Sequence, residues 1–385
     1  MATCYTRNVS LRMAQNWTTG LVSVRVNQKL WTKMLATAAR NLDLDAFLAT
    51  VGREDETLAA AGAVLRQIAS AAIEVANLIS LGQLAEGTGI AVGTENSDDD
   101  TQRKIDILAN EMFIDFLRGC PVAAVLSKEL SLPLVLDLSA PVAVAIDPLD
   151  GSSNINNASA VGTIFSIIPA IVKATDPAEH FLRPGHHQIA AGFVIYGSQT
   201  SLVLTFCDGV HVFTLDREAV VFRLAIPNVS IPRDSVEYAI NASNYRHWGE
   251  SVRAYVDDCV TGIDGPLARN HNMSWMASLV AEAYRILVRG GVILYPADQR
   301  PGYLAGGLRL NYEANPISLL IEQAGGAATD AIQRILDRRP TELHARTPFV
   351  FGSFEPVQRI VRYHTDPQFS AERAPLFGRR GLMRL

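Results

Sequence analysis

The stretch AVAIDPLDGSSNI, residues 143–155, decides how this chain is read. An apolar run ends in two carboxylates, Asp147 and Asp150, and then opens into Gly151, Ser152 and Ser153. The plain reading is a turn at the end of a strand. Pro148 suits the second position of a type I turn and Gly151 its exit. A chemical reading stands beside it. Two carboxylates and the Leu149 carbonyl, projected from a sheet edge, are the hard oxygen ligands that Mg²⁺ prefers. The Gly151, Ser152 and Ser153 backbone and hydroxyl groups can hold a phosphate without adding charge. Metal and phosphate ligands in one short turn point to metal-assisted phosphoryl transfer.

That chemistry needs further acids, and candidates lie on either side. Asp106 sits early on an amphipathic helix whose apolar face carries Ile105, Leu108, Met112 and Phe116. Asp100 closes the Gly-, Ala- and acid-rich stretch 82–100, which reads as a long mobile loop. Glu129 stands in LSKEL, residues 126–130, and Glu313 just before Asn315-Pro316. Each alone reads as a solvated surface acid. Their weight comes from occurring together with the 147–153 segment.

Outward from this centre, the apolar residues Leu58, Leu65, Ile68, Val75 and Ile79 recur at helical spacing, with Thr57 as N-cap. Apolar runs at 122–126, 142–146, 162–168, 190–196 and 201–206 read as strands of a sheet that helices cover on one face. The pattern restarts around 226–238, which suggests a domain boundary. A helix over 275–288 ends at Gly290-Gly291, the strand VILYP follows, and a further helix starts with Asn315 as N-cap and ends at Gly325-Gly326. His186-His187, beside Pro184 and Gly185, reads as loop rather than as metal ligands. The organisation expected is an extension over 1–42, an N-terminal domain over 43–230, a C-terminal domain over 231–364 and a basic tail over 365–385.

The 385 residues are 48% hydrophobic and 19% charged, with a net charge of −5 and a pI near 5.9. This balance gives no electrostatic case for nucleic acid or an anionic membrane. No run of about 18 apolar residues suggests a bilayer span. The four cysteines are scattered without a C-x-x-C pair, which fits a reducing compartment and a cytoplasmic protein. Residues 1–42 are basic and hold no acid before Asp43, so an organellar transit peptide is the alternative to a disordered extension.

DPLDGSSNI (147–155) followed by VGTIFSI (161–167) resembles class I fructose-1,6-bisphosphatase, as do KIDILAN (104–110), RGGVILYPAD (289–298) and LRLNYEANPISLLIEQAGGAAT (308–329). The similarity runs in order from about residue 43 to 362, and NMSWMASLVAEAYRIL (272–287) is most like enzymes of carbon-fixing proteobacteria. The resemblance implies a two-domain layered α/β sandwich of the sugar-phosphatase type with mixed sheets, assembled as a homotetramer. It also implies hydrolysis of the 1-phosphate of fructose 1,6-bisphosphate, in gluconeogenesis or the Calvin cycle, with two or more Mg²⁺ ions, Mn²⁺ being an alternative. Glu129, Asp147, the Leu149 carbonyl, Asp150 and Glu313 match metal-site positions. Asp106 with Glu129 would orient and deprotonate the attacking water, and Asp100, assisted by Arg309, would support the departing phosphoryl group. Asp150, Gly151, Ser152 and Ser153 would face the 1-phosphate end, and Asn241 and Tyr295 would grip the 6-phosphate.

The chain departs from that pattern at several positions. Lys128 stands where the family has a second glutamate, a change of two charge units. A unit charge pair at about 4 Å and an effective dielectric near 20 is worth roughly 4 kcal/mol, enough to empty a metal site. The alternatives are that Lys128 swings into solvent or that its ammonium stands in for an ion. Ser274 stands where the family presents an arginine to the neighbouring subunit's 6-phosphate, and Gly307 where a lysine or arginine contacts the substrate, each such contact being worth about 1.5–3 kcal/mol. Asn244 and Trp275 replace phosphate-binding tyrosines, and Tyr245, Arg246 or Arg300 are the nearby groups that would compensate. Pro141-Val142 replaces the AMP-contacting pair of the animal enzymes, and the cysteine-bearing insert of the light-regulated form is absent, so neither control is implied. Lys128, Ser274 and Gly307 motivate a second reading, an impaired homologue that binds sugar phosphates or partners in mixed tetramers. An inositol-type monophosphatase is a third, against which the 308–329 segment argues.

Overall fold

The computed structural model describes residues 42–52, 55–82 and 98–366, the last segment by backbone alone over 98–104. The expectations for the extension (except Leu42), for residues 83–97 of the loop and for the tail beyond Asp366 lie outside the described residues. Helices α1 (Leu44–Leu48), α2 (Glu56–Leu81) and α3 (Asp98–Leu117) come first. The strands β1 (Val122–Ser127), β2 (Leu134–Val135), β3 (Val142–Asp150), β4 (Val161–Pro169), β5 (Ala190–Tyr196), β6 (Thr200–Thr205), β7 (His211–Asp216) and β8 (Val221–Ile226) follow. They form an eight-stranded sheet in the order β2-β1-β3-β4-β5-β6-β7-β8. The β1–β3 pair is parallel and the other pairs are antiparallel, so the sheet is mixed.

A second sheet of five strands holds β9 (Glu237–Ile240), β10 (Asn272–Met273), β11 (Val292–Tyr295), β13 (Ala327–Thr329) and β15 (Phe349–Gly352), in the order β10-β9-β11-β15-β13. Strands β12 (Leu308–Arg309) and β14 (Arg346–Thr347) pair separately. The helices of this half are α4 (Glu250–Thr261), α5 (Leu279–Arg289), α6 (Asn315–Gln323) and α7 (Phe354–Thr365).

Side-chain alternation turns these elements into five layers, α-β-α-β-α. Successive strand residues point to opposite faces. Val144, Ile146, Phe165 and Val194 pack under Leu65, Ile68 and Val75 of α2. Ile164, Phe193 and Val203 face the other way, onto Val280 and Ile286 of α5 and Leu320 of α6. The same two helices meet Ala239, Ile293 and Phe351 of the second sheet. Its far face, with Tyr238, Ile240, Val292 and Leu294, packs against Val252 and Val256 of α4 and Ile360 of α7. Strands buried on both faces read as unbroken apolar runs, which is why the sequence marks them so clearly. Helix α2 is long and apolar enough to cross a membrane by composition, but its apolar face is core here.

Several local expectations are corrected. Helix α2 is capped by Asp55, whose carboxylate accepts from Thr57 and Leu58 N–H, so Thr57 lies inside the first turn. Helix α5 begins at Leu279 behind the Ser278 cap, because 275–277 run out from β10 in non-helical backbone. Asn315 is no N-cap. A π-type turn, Leu310–Ala314, feeds straight into α6 and leaves Asn315 helical and buried. Asp100 lies in the first turn of α3 rather than at a loop end. Most consequential is the opening stretch: Asp147-Pro148-Leu149-Asp150 is strand, not turn, and β3 is an interior strand rather than an edge. The chain turns only at Gly151, whose φ of 73° suits a residue without a Cβ.

Candidate active site

The site forms where β3 outruns a regular register. Asp147 pairs with Ile164 and Asp150 with Gly162, three steps on one strand against two on the other. This is a β-bulge, the device by which a sheet re-aims a side chain. It is held by the Thr163 hydroxyl, which donates to the Pro148 carbonyl at 2.8 Å, and by the Leu149 N–H, which donates to Asp147 Oδ1 at 3.2 Å. Pro148 contributes no N–H to the ladder, and a bulge is a place in a sheet interior where that is tolerated. Asp147, Leu149 and Asp150 are thus all buried at the C-terminal end of one central strand.

Three elements converge on it. The π-type turn brings in Glu313, buried, with its Oε2 accepting from the Arg309 N–H at 2.6 Å. The start of α5 brings the N–H groups of Leu279 and Val280 against Asp150. This approach is close. A Cβ on Gly162 would lie 2.2 Å from the Val194 carbonyl oxygen and 2.7 Å from a Val280 methyl. Helix α3 brings Asp106, and the Ser152 hydroxyl donates to its Oδ2 at 3.1 Å. Glu129 follows β1, with its N–H on the Ser127 hydroxyl at 3.2 Å, and lies near enough to Asp106 for their charges to interact.

One oxygen from each of Asp147, Asp150 and Glu313 lies within 4.8 Å of the others. Taking such a group of acids out of water is costly without a counter-cation. Burial drives the Asp106 carboxyl up to about 6, with the Ser152 hydrogen bond opposing and Glu129 adding to the rise. Burial likewise raises Asp150 and Glu313, each reinforced by the neighbouring carboxylates and opposed by Lys128. Among the described residues, Asp150 Oδ2 and Asp106 Oδ1 are buried without a hydrogen-bond partner. Hard oxygen donors with unsatisfied lone pairs fit a hard divalent cation.

Lys128 is the unexpected member. Its Nζ lies 2.8 Å from Asp147 Oδ2 and 3.7 Å from Glu313 Oε1. Burial works against its charge, but Asp147, Glu313 and Asp150 outweigh that and hold the ammonium well above its ordinary pKa. Of the two alternatives open in the sequence, swinging into solvent is not what the chain does.

The sugar end is built on the second sheet. Ile240 pairs in parallel with Leu294, so Asn241 and Tyr295 are the next residues along adjacent strands. Asn241 Oδ1 accepts from the Ser243 N–H and hydroxyl, which leaves its amide nitrogen to offer an anion. Burial, then the charges of Asp150, Glu282 and Glu313, keep the Tyr295 phenol neutral, and its ring packs against Trp275 at 5.4 Å. Ser274 is tied by its N–H to the Tyr238 carbonyl at 2.9 Å. The groups named as candidates for compensation have partners within the chain. Arg300 forks onto Asp298 and stacks on Tyr303, and the Tyr245 hydroxyl donates to Asp257. Arg246 is held against His247 at 3.0 Å. At Gly307, Arg346 Nη1 donates to the carbonyl at 3.0 Å, so a guanidinium from another strand stands beside that position.

Asp106, Glu129, Asp147, Leu149, Asp150, Gly151, Ser152 and Glu313 therefore gather around one end of β3, and Ser153 follows in the same short 3₁₀ turn, Ser152–Asn157. Arg309 borders the cluster through its backbone while its guanidinium donates to the His344 carbonyl at 2.7 Å. The Asp100 side chain lies outside the described residues. What the sequence reading missed is the α5 start, although Ser278 ahead of an apolar run was a legible cap signal.

Known proteins match this architecture along its length. The family description "Fructose-1-6-bisphosphatase, N-terminal domain" matches residues 47–227, and the corresponding C-terminal domain matches 231–365. The class 1 fructose-1,6-bisphosphatase of Rhizobium meliloti (strain 1021) is 52% identical over 343 residues, covering 89% of this chain and 98% of the relative. That of Rhodopseudomonas palustris (strain HaA2) is 51% identical over 342 residues, with the same coverage of 89% and 98%. The crystal structure of Leishmania major fructose-1,6-bisphosphatase in holo form superposes with a TM-score of 0.74 at 28% identity, covering 84% of this chain and 99% of that one. None of these matches supports the impaired reading. The family is metal-dependent, which agrees with a buried acid cluster able to bind a cation. By the span and identity of these matches, the chain belongs to the class 1 fructose-1,6-bisphosphatase family.

Proposed function

We propose that this chain hydrolyses the 1-phosphate of fructose 1,6-bisphosphate to fructose 6-phosphate and phosphate, as a cytoplasmic Mg²⁺-dependent homotetramer serving gluconeogenesis or the Calvin cycle. The observation that carries the reading is the buried Asp147, Asp150 and Glu313 group standing beside the Asp106–Ser152 hydrogen bond. Asp150, Glu129 and their neighbours would hold a divalent cation, which when bound would neutralise charge on the phosphoryl oxygens.

The chain's own groups do the rest. Asp106 and Glu129 orient the attacking water and take its proton; a carboxyl near 6 is well matched to that task near neutral pH. The water oxygen attacks phosphorus in line, the bond from phosphorus to the sugar oxygen breaks, and that oxygen takes up a proton, balancing the one removed from water. Gly151, Ser152 and Ser153 hold the 1-phosphate. Because the Ser152 hydroxyl is bonded to Asp106, the phosphate cradle and the proton acceptor are fixed to one another. Asn241 and Tyr295 hold the 6-phosphate at the other end, with Trp275 setting the Tyr295 ring.

The test is phosphate release from fructose 1,6-bisphosphate across a Mg²⁺ titration, run beside sedoheptulose 1,7-bisphosphate. Metal-dependent release from the six-carbon substrate is expected. No release at saturating metal and substrate would overturn the reading.

A further inference from the structure

We propose that the Lys128 ammonium serves as a built-in cation: it occupies the position between Asp147 and Glu313 and lowers by one the number of divalent ions this chain binds. The inference rests on the proposed metal-dependent reading of the site and concerns how the site is filled. Its geometry is specific. Nζ is 2.8 Å from Asp147 Oδ2 and 3.7 Å from Glu313 Oε1, two of the three acids whose oxygens converge within 4.8 Å. An ammonium so placed neutralises charge where a metal ion would otherwise lie, and it excludes that ion by repulsion and by volume.

Lys128 is held there by its surroundings. Its backbone N–H is pinned to the Ile146 carbonyl at 3.0 Å, which extends the β1–β3 ladder to the residue that carries the side chain. The stem therefore leaves from beside β3, next to Asp147. On the opposite carboxylates the situation differs. Among the described residues, Asp150 Oδ2 and Asp106 Oδ1 are buried without a hydrogen-bond partner, and the ion pairs of Lys128 go to Asp147 and Glu313 instead. Asp147 and Glu313 are thus engaged by the lysine, while Asp150, which converges with them, and Asp106 each keep a buried oxygen available to a divalent ion.

The experiment counts ions in the full-length protein without substrate, by Mn²⁺ electron paramagnetic resonance and titration calorimetry. The unmodified chain should bind a single tight Mn²⁺. Lys128→Met, similar in length and neutral, should gain a second ion or tighten overall Mn²⁺ binding by at least about tenfold. Lys128→Arg should keep the parent count. Two tight ions in the unmodified chain, or the same count and affinity in folded Lys128→Met, would overturn the proposal. The parent measurement decides the matter even where the variant misfolds. The count also needs no turnover, so failure here is distinct from failure to hydrolyse the bisphosphate.

Discussion

The Ser152 hydroxyl donates to Asp106 Oδ2 at 3.1 Å across a gap of 46 residues, joining helix α3 to the turn that follows β3. The bond opposes the effect of burial on the Asp106 carboxyl, which otherwise stands higher than its value of about 6. A hydrogen bond donated to the charged form favours that form.

Replacing Ser152 with Ala removes this donor, so Asp106 ionises at higher pH. The acid limb of the kcat/KM profile is expected to move upward in pH, and kcat at neutral pH to fall. A pH–rate profile of Ser152→Ala checks both. A limb that stays in place, or moves to lower pH, would show that Asp106 does not set it.

The acid cluster also links metal to stability. Asp106, Asp150 and Glu313 all have raised pKa values in the folded chain, chiefly through burial. The folded state therefore holds protons that the unfolded state has released. This contribution is fully present below the unfolded carboxylate values and is lost as pH rises through the folded ones. Lys128 is also raised, but its loss falls at strongly alkaline pH, outside that window. Through this cluster the metal-free protein loses stability between pH about 5 and 8, against the opposite effect of His180, His187, His211 and His271, whose burial lowers their values, and saturating Mg²⁺ should recover most of the cluster's loss. Thermal melts with chelator and with Mg²⁺ decide this; a stabilisation by Mg²⁺ no larger at the higher pH than at the lower would contradict it.

Gly162 sets how closely α5 approaches β4. A methyl group there meets the Val194 carbonyl oxygen at 2.2 Å and both Val280 methyls, at 2.7 and 2.8 Å. Neither the β4–β5 ladder nor the helix can yield freely, so Gly162→Ala should cost about 1–3 kcal/mol of stability. The displaced helix start also carries the N–H groups that face Asp150. Denaturant unfolding measures the first effect, and kcat of the surviving folded fraction should fall as well. A variant with parental stability and kcat would show that the helix is not packed this tightly.

These three cases show where the sequence was readable. Asp106, Asp147, Asp150 and Glu313 were identifiable because they occur in or together with the 147–153 segment and match the motifs the chain shares with its family, and strands buried on both faces announce their existence, though β3 runs four residues past its expected end. The bulge at 147–150 was not, because it depends on which residue of β4 lies opposite and on the Thr163 hydroxyl that holds it. Asn315 looked like a cap because Asn-Pro is a cap signal, whereas the preceding π-type turn is set by packing around Tyr312 and Glu313. Arg300 looked available because its partner, Asp298, is two residues away and equally plausible as a solvated acid. Long-range register and side-chain pairing are tertiary facts, and local pattern carries little of either.

Ser274 offers a test of the proposed assembly. It follows β10 at the margin of the second sheet, with its N–H fixed to the Tyr238 carbonyl and partly exposed side-chain surroundings in Met273 and Met276. A longer side chain can therefore leave this position without disturbing the backbone bond that seats it. In a homotetramer of the proposed kind, the guanidinium of a Ser274→Arg variant would reach the 6-phosphate bound by a neighbouring subunit. A charge-assisted contact of about 1.5–3 kcal/mol corresponds to a KM roughly ten- to a hundredfold lower, with kcat little changed. The gain should vanish on dilution to dissociated subunits, because the arginine then has no neighbour to serve. Steady-state kinetics over a protein dilution series, with the mass followed by light scattering, make the comparison. A KM that falls equally in the dissociated protein would place the arginine in its own subunit's site, and no fall in the assembled protein would remove Ser274 from the substrate interface.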